Sequence, residues 1–111
     1  MWIMIAGPYR SGAKSDADRE QNLMNLNRAA HAVFRKGHVP VVGVNCALPL
    51  IEAAGRETYE SIMMPLSLAM AERCDAVLRI GGVCPGADKV ERIRRRGGAT
   101  YYSVAEVPDA D

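Results

Sequence analysis

Four short runs of strand-forming residues, separated by segments with helical periodicity, constrain the fold of this chain more than any other feature. The runs occupy residues 1–6, 39–44, 75–80 and 100–104. The first three are rich in apolar residues and bounded by turn residues, which is typical of strands buried on both faces. Helical crossovers fit between the runs, so we predict an α/β domain with a four-stranded parallel sheet covered on both sides.

The expected strand order is 2-1-3-4. Pro40 interrupts the second run, and because a central strand tolerates proline only at its start, this run is predicted to be an edge strand. In this order the first and third strands are neighbours whose connections leave towards opposite faces of the sheet. The crevice at their carboxyl ends is therefore the expected ligand site.

Three segments have helical patterns. Asp16 or Asp18 can cap the first helix, which ends near residue 37. The second contains Pro65 within its apolar stripe, and this proline must either kink the segment or begin a new helix. The third begins at Pro85 and ends before Gly97, with acidic residues early and arginines late, as the helix dipole favours.

The composition fits one ordinary globular domain. The chain has 111 residues, is 49% hydrophobic and 24% charged, and carries a formal net charge of +1, which gives no general attraction to a nucleic-acid polymer or a membrane. We expect one domain over residues 1–104 and a frayed, acidic tail over residues 105–111.

Cysteine usage and the first apolar run bear on the compartment. The three cysteines are widely spaced and form neither a disulfide framework nor a metal-binding motif. The first run is too short for a signal segment or a membrane span. We therefore expect a cytoplasmic protein with no metal and no cofactor.

Two loops are expected to border the crevice. In Gly7-Pro8-Tyr9-Arg10 the glycine allows close approach, the tyrosine offers a ring face, and the arginine can pair with phosphate or carboxylate. The second loop opens the last helix, whose free N–H groups are expected to bind an anion. Its candidate ligand-binding residues are Gly81, Gly82, Pro85, Gly86, Ala87 and Asp88.

Asn45, at the end of the second predicted strand, is a further ligand-binding candidate. Each of these features also has a purely structural interpretation. Asn45 can be a turn residue, the first loop a tight turn, and the second loop a glycine turn leading into a helix that starts at proline.

The blocks at residues 3–10, 36–40, 73–78 and 85–88, in this order and spacing, resemble the nucleoside 2-deoxyribosyltransferase superfamily, in particular its small DUF4406-like branch. The resemblance extends from residue 3 to about residue 102 and is weakest over residues 44–60. It implies a three-layer, flavodoxin-like or Rossmann-like domain that binds a small-molecule nucleoside or nucleotide. Enzymes of this family act at the N-glycosidic bond.

The resemblance also implies catalytic groups, and this chain departs from them. The family has a glutamate nucleophile on the helix after the third strand, a tyrosine, here Tyr9, that positions it, and an aspartate on the preceding helix. The glutamate position corresponds to Val90, with Glu91 beside it, and the aspartate falls near Met63 or Met64. Because one residue is about 100° of helical rotation, Glu91 is not an equivalent replacement for the glutamate.

The candidate catalytic residues are therefore Glu91, Asp88 and Tyr9. Three functions remain open: an enzyme acting at the N-glycosidic bond, a non-catalytic nucleotide-binding or sensing domain, and a small interaction module. A homo-oligomer is expected, because so short a chain has a thin core and its methionine-bearing helix offers an apolar face.

Overall fold

The computed structural model describes residues 1–82, 84–93 and 98–110. The strands are β1 (Trp2–Ala6), β2 (Val39–Val41), β3 (Ala76–Arg79) and β4 (Ala99–Tyr101). The helices are α1 (Asp16–Arg35), α2 (Gly43–Ala54), α3 (Tyr59–Arg73) and α4 (Pro85–Ile93), with short 3-10 helices at Arg56–Thr58 and Val104–Glu106. The four strands form one parallel sheet in the order β2-β1-β3-β4, which confirms the predicted topology.

Alternating residues of the central strands supply two cores. Ile3, Ile5 and Leu78 pack on one face with the buried side chains of α1, whereas Met4 and Val77 pack on the other face with α3 and α4. Since successive strand residues point to opposite faces, the buried parts of β1 and β3, up to Leu78 in β3, are apolar on both faces. The result is the expected three-layer, flavodoxin-like α/β fold.

The second strand is a short edge strand, as predicted, but it ends at Val41 rather than at residue 44. Gly43 already begins α2, a helix that the sequence analysis did not predict. No side chain caps this helix at its first turn, and Pro49 lies in its interior. Both features make the helix difficult to predict from the sequence, because a capping residue and the absence of proline are the usual signs of a helix.

The starts of α1 and α3 bear on two further predictions. Ser15 caps α1, because its hydroxyl accepts a hydrogen bond from the Asp18 N–H at 3.1 Å; the predicted caps Asp16 and Asp18 lie inside the helix. Pro65 neither begins nor ends a helix, since α3 runs through it from Tyr59.

A frayed tail was expected over residues 105–111, but Val107 and Ala110 are held against the domain. Val107 is 1% exposed and belongs to the core on the α1 face. The Lys36 ammonium donates to the carbonyls of Val104 and Val107 at 2.8 and 2.6 Å, and the Ala110 N–H donates to the Lys36 carbonyl at 2.7 Å. A buried apolar side chain and these hydrogen bonds hold the segment against the domain.

The predicted arginine-rich end of the last helix at residues 94–96 and its closing Gly97 lie outside the described residues, as do Val83 and Asp111. In the described part of the chain, no helix combines the length and apolar character needed to cross a bilayer.

Candidate functional site

A cavity of about 130 Å³ lies at the carboxyl end of β1, where the topology predicts a ligand site. Its walls come from the end of β1 and the loop that follows, the start of α2, and the facing sides of α3 and α4. Most lining side chains are apolar. The polar ones are Tyr9, Arg10, Ser11, Tyr59, Ser67 and Cys84.

The loop after β1 brings Tyr9 and Arg10 to the cavity, as predicted. Asn22 of α1 holds this loop, because its side-chain amide donates to the Tyr9 carbonyl at 2.7 Å. The Arg10 guanidinium carbon lies 4.1 Å from the centre of the Tyr59 ring, and Nη1 lies 3.4 Å from Oε1 of Glu60. Burial raises the pKa of Tyr59 although Arg10 acts in the opposite direction, so this phenol stays neutral at physiological pH.

The start of α4 forms another wall. Gly86, Ala87 and Val90 line the cavity. A Cβ at Gly86 would lie 2.8 Å from the Met64 methyl carbon, so this part of α4 lies close to the flexible end of the Met64 side chain of α3. Cys84 accepts hydrogen bonds from two N–H groups in the first turn of α4. Its sulfur accepts from the Ala87 N–H at 3.5 Å, and its carbonyl accepts from the Asp88 N–H at 2.9 Å. Fewer N–H groups thus face the expected anion site, which stays a prediction.

Asp88 and Glu91 lie elsewhere. The Arg79 guanidinium donates to Asp88 at 2.5 Å and to Glu91 at 3.3 Å, and the Tyr102 hydroxyl donates to Glu91 at 2.7 Å. These side chains line a separate shallow pocket with Gly81 and Gly82. The structure therefore does not bring the two candidate carboxylates together with Tyr9.

Charge explains why the Arg79 cluster is stable. Burial by itself would lower the pKa of Arg79, but the hydrogen bond and negative charge of Asp88, together with the charge of Glu91, raise it overall. The guanidinium stays charged and joins the end of β3 to α4. This arrangement supports a structural role for both carboxylates.

The remaining predicted ligand residues divide between the two loops and the surface. Asn45 does not line the cavity, because it lies in the first turn of α2, where it is exposed and donates to the Asn27 side chain at 2.5 Å. Gly81 has a φ of +77°, and a Cβ there would lie 2.7 Å from Pro8 Cδ, so it lets the two loops pack together. Pro85 is exposed at the start of α4.

Three positions singled out by the family resemblance do line the cavity: Val90, Met63 and Met64. The sequence analysis missed Tyr59, Ser67 and Gly43, because all three depend on where α2 and α3 begin. Gly43, Ala47 and Ile51, the buried positions of α2, are spaced four residues apart, and this spacing is a signal that could have indicated the helix.

Within the described residues, no group of three or more histidine, cysteine, aspartate or glutamate side chains is arranged to hold a metal ion. Comparisons of the chain with protein-family models, curated proteins and solved structures gave no significant match.

Proposed function

We propose that this protein binds a nucleoside or nucleotide in the cavity at the end of β1 and does not cleave it. The observation that carries the proposal is the lining of this cavity: mostly apolar walls with two tyrosine rings and one arginine. A nucleobase has flat apolar faces and a polar edge, and ligand sites of this kind are mostly apolar with a few placed polar groups.

The size of the cavity indicates which part of the ligand it encloses. Its volume of about 130 Å³ is below the ~300–1,000 Å³ typical of sites for drug-sized ligands. A single base therefore fills it, and the sugar and any phosphate remain at the opening beside Arg10.

Arg10 is suited to a phosphate because its ion pair with Glu60 is weak. The side chains of Arg10 and Glu60 are 52% and 89% exposed, and their charged atoms are 3.4 Å apart. Exposed ion pairs of this kind contribute about 0–1 kcal/mol. A phosphate with more charge and more acceptor oxygens can displace the Glu60 carboxylate.

The lack of an aspartate or glutamate among the described lining residues argues against catalysis at the N-glycosidic bond. Among the described lining residues there is no aspartate or glutamate, and such chemistry needs one carboxylate for the sugar and an acid for the leaving base. Asp88 and Glu91, the predicted candidates, pair with Arg79 instead. Binding or sensing is therefore the function that this geometry favours.

Isothermal titration calorimetry with matched nucleosides and nucleoside 5′-monophosphates tests the proposal, with chromatography of each mixture for free base. We expect binding without base release. Arg10→Ala should weaken monophosphate binding by about fivefold, equivalent to about 1 kcal/mol, and leave nucleoside binding nearly unchanged. Arg28→Ala, which removes an exposed arginine of α1 outside the cavity, is the matched control.

Release of free base would restore the enzyme hypothesis. A folded protein that binds none of these compounds would contradict the proposal and favour the interaction module.

We also propose that the protein forms a homo-oligomer, but on a different surface from the one first expected. Two methionines of α3 already pack inside the domain, since Met63 is buried and Met64 packs against the core of the α4 face. Trp2 at 55% and Phe34 at 64% are among the exposed large apolar side chains of the described residues, so they are better candidates for a contact between copies. Light scattering at micromolar concentration tests this, and a monomer would contradict it.

A further inference from the structure

Ser67 of α3 has the most buried hydroxyl group of the cavity. The residue is only 6% exposed and lines the cavity. Its hydroxyl has no hydrogen-bond partner among the described residues, and its oxygen lies against Gly43, another residue of the cavity wall. The hydroxyl therefore faces the cavity. Because burying a polar group without a partner is costly, this arrangement points to a ligand atom at this place.

The first turn of α2 faces the same place. Gly43 and Val44 line the cavity, and the N-cap residue Val42 makes no side-chain capping bond. The first N–H groups of a helix have no partner inside it and carry its positive end. The Asn45 N–H already donates to the Val42 carbonyl at 3.1 Å, so Gly43 and Val44 hold the N–H groups nearest the cavity.

The lack of a side chain at Gly43 brings these groups together. A Cβ at this position would overlap the Ser67 hydroxyl oxygen and lie 3.1 Å from the Met4 methyl carbon. The hydroxyl therefore lies directly against the start of α2. Two independent features, a helix end without a side-chain cap and a buried hydroxyl without a partner, meet at one wall of the cavity.

We infer that Ser67 and the start of α2 bind a carbonyl oxygen on the edge of the ligand, so that the protein selects oxo-substituted nucleobases over amino-substituted ones. The inference rests on the proposed function and names its ligand class. Backbone N–H groups only donate hydrogen bonds, and an exocyclic amino group of a base also donates. An oxo group accepts from both the helix and the hydroxyl, whereas an amino group leaves the helix donors unpaired.

Two pairs of nearly isosteric ligands test this by calorimetry. The first pair is inosine 5′-monophosphate and adenosine 5′-monophosphate, and the second is uridine 5′-monophosphate and cytidine 5′-monophosphate. Within each pair the sugar and phosphate are the same, so the contribution of Arg10 cancels. We expect the oxo member to bind at least about tenfold more tightly, since the amino member leaves buried donors unsatisfied.

Variants at Ser67 locate the effect. Ser67→Ala should weaken binding of inosine monophosphate by about 2- to 12-fold and change adenosine monophosphate binding little. Ser67→Cys keeps the shape of the side chain with a somewhat larger atom and replaces the hydroxyl with a weak donor, so it should behave similarly. Ser61→Ala on the same helix is the matched control, because the Ser61 hydroxyl donates to the Thr58 carbonyl and does not line the cavity.

Equal affinities within both pairs, a preference for the amino members, or an unchanged preference in folded Ser67→Ala would overturn the inference and leave the proposed function standing. Binding of none of the four monophosphates would overturn the proposed function, and this inference with it. Circular dichroism of each variant separates misfolding from loss of a contact, and the comparison of ligand pairs on the unmodified chain needs no variant.

Discussion

Replacing Arg79 with methionine should destabilise the fold, and Arg79 does not itself line the cavity. The Arg79 side chain is 11% exposed and pairs with Asp88 and Glu91, whose side chains are 49% and 21% exposed. The half-exposed pair with Asp88 contributes about 1 kcal/mol, and the more buried bond to Glu91 about 1–2 kcal/mol. Methionine keeps much of the aliphatic packing, so we expect a loss of about 2–3 kcal/mol in the free energy of unfolding.

Urea unfolding followed by circular dichroism measures this loss as a lower midpoint with an unchanged slope. The melting temperature should fall by about 10 °C or more for a domain of this size. Arg73→Met is the control, since Arg73 is exposed and its guanidinium donates to the Ala69 carbonyl of the same helix at 3.3 Å. If Arg79→Met unfolds within about 0.5 kcal/mol of the unmodified protein, the cluster does not join β3 to α4 in the way argued.

Three further results are expected. Burial, with a smaller effect of Asp75, raises the pKa of Cys74 from 9.0 to about 11. Because the folded protein holds the thiol proton more tightly than the unfolded chain does, the contribution of the neutral Cys74 thiol to stability is complete below pH 9 and is lost as the pH rises towards 11. The stability difference between the unmodified protein and Cys74→Ala should shrink over that range in urea titrations, and a constant difference would count against the assignment. In native protein a thiol reagent should modify the exposed Cys46 rapidly and the buried Cys74 only on unfolding; equal rates would contradict the described burial. Val107→Ala should lower the free energy of unfolding by about 2 kcal/mol through lost apolar burial and a cavity, whereas no change would mean that the tail is detached in solution.

The sheet could be predicted because each strand is indicated by a short continuous segment of the sequence. The runs that became β1 and β3 are buried on both faces, so their apolar character is continuous and easy to read. Pro40 identified the edge strand for a physical reason, since only an edge position tolerates the missing N–H. Once the strands are in order, the position of the ligand crevice follows from topology.

The cavity wall was harder to predict, because it depends on tertiary packing that overrides local signals. Pro49 and Pro65 both lie inside helices, where proline normally marks a break. Without the register of those helices, Tyr59 and Ser67 had no predicted relation to Tyr9. The catalytic candidates failed to converge for a related reason: a rotation of one helical position separates Val90 in the cavity wall from Glu91 beside Arg79.

The edge strand β2 also limits how copies of this protein can aggregate. It has three residues, and its central residue Pro40 lies opposite Ile3 of β1. Because Val39 donates its N–H inward to the Met1 carbonyl at 2.9 Å, the nitrogen of Pro40 lies on the outward edge, where an added strand would need a donor. Short edge strands and edge prolines are two of the devices that block strand addition. Growth of the sheet into an amyloid-like ribbon is therefore disfavoured on this side, and association of native copies through this edge is disfavoured for the same reason.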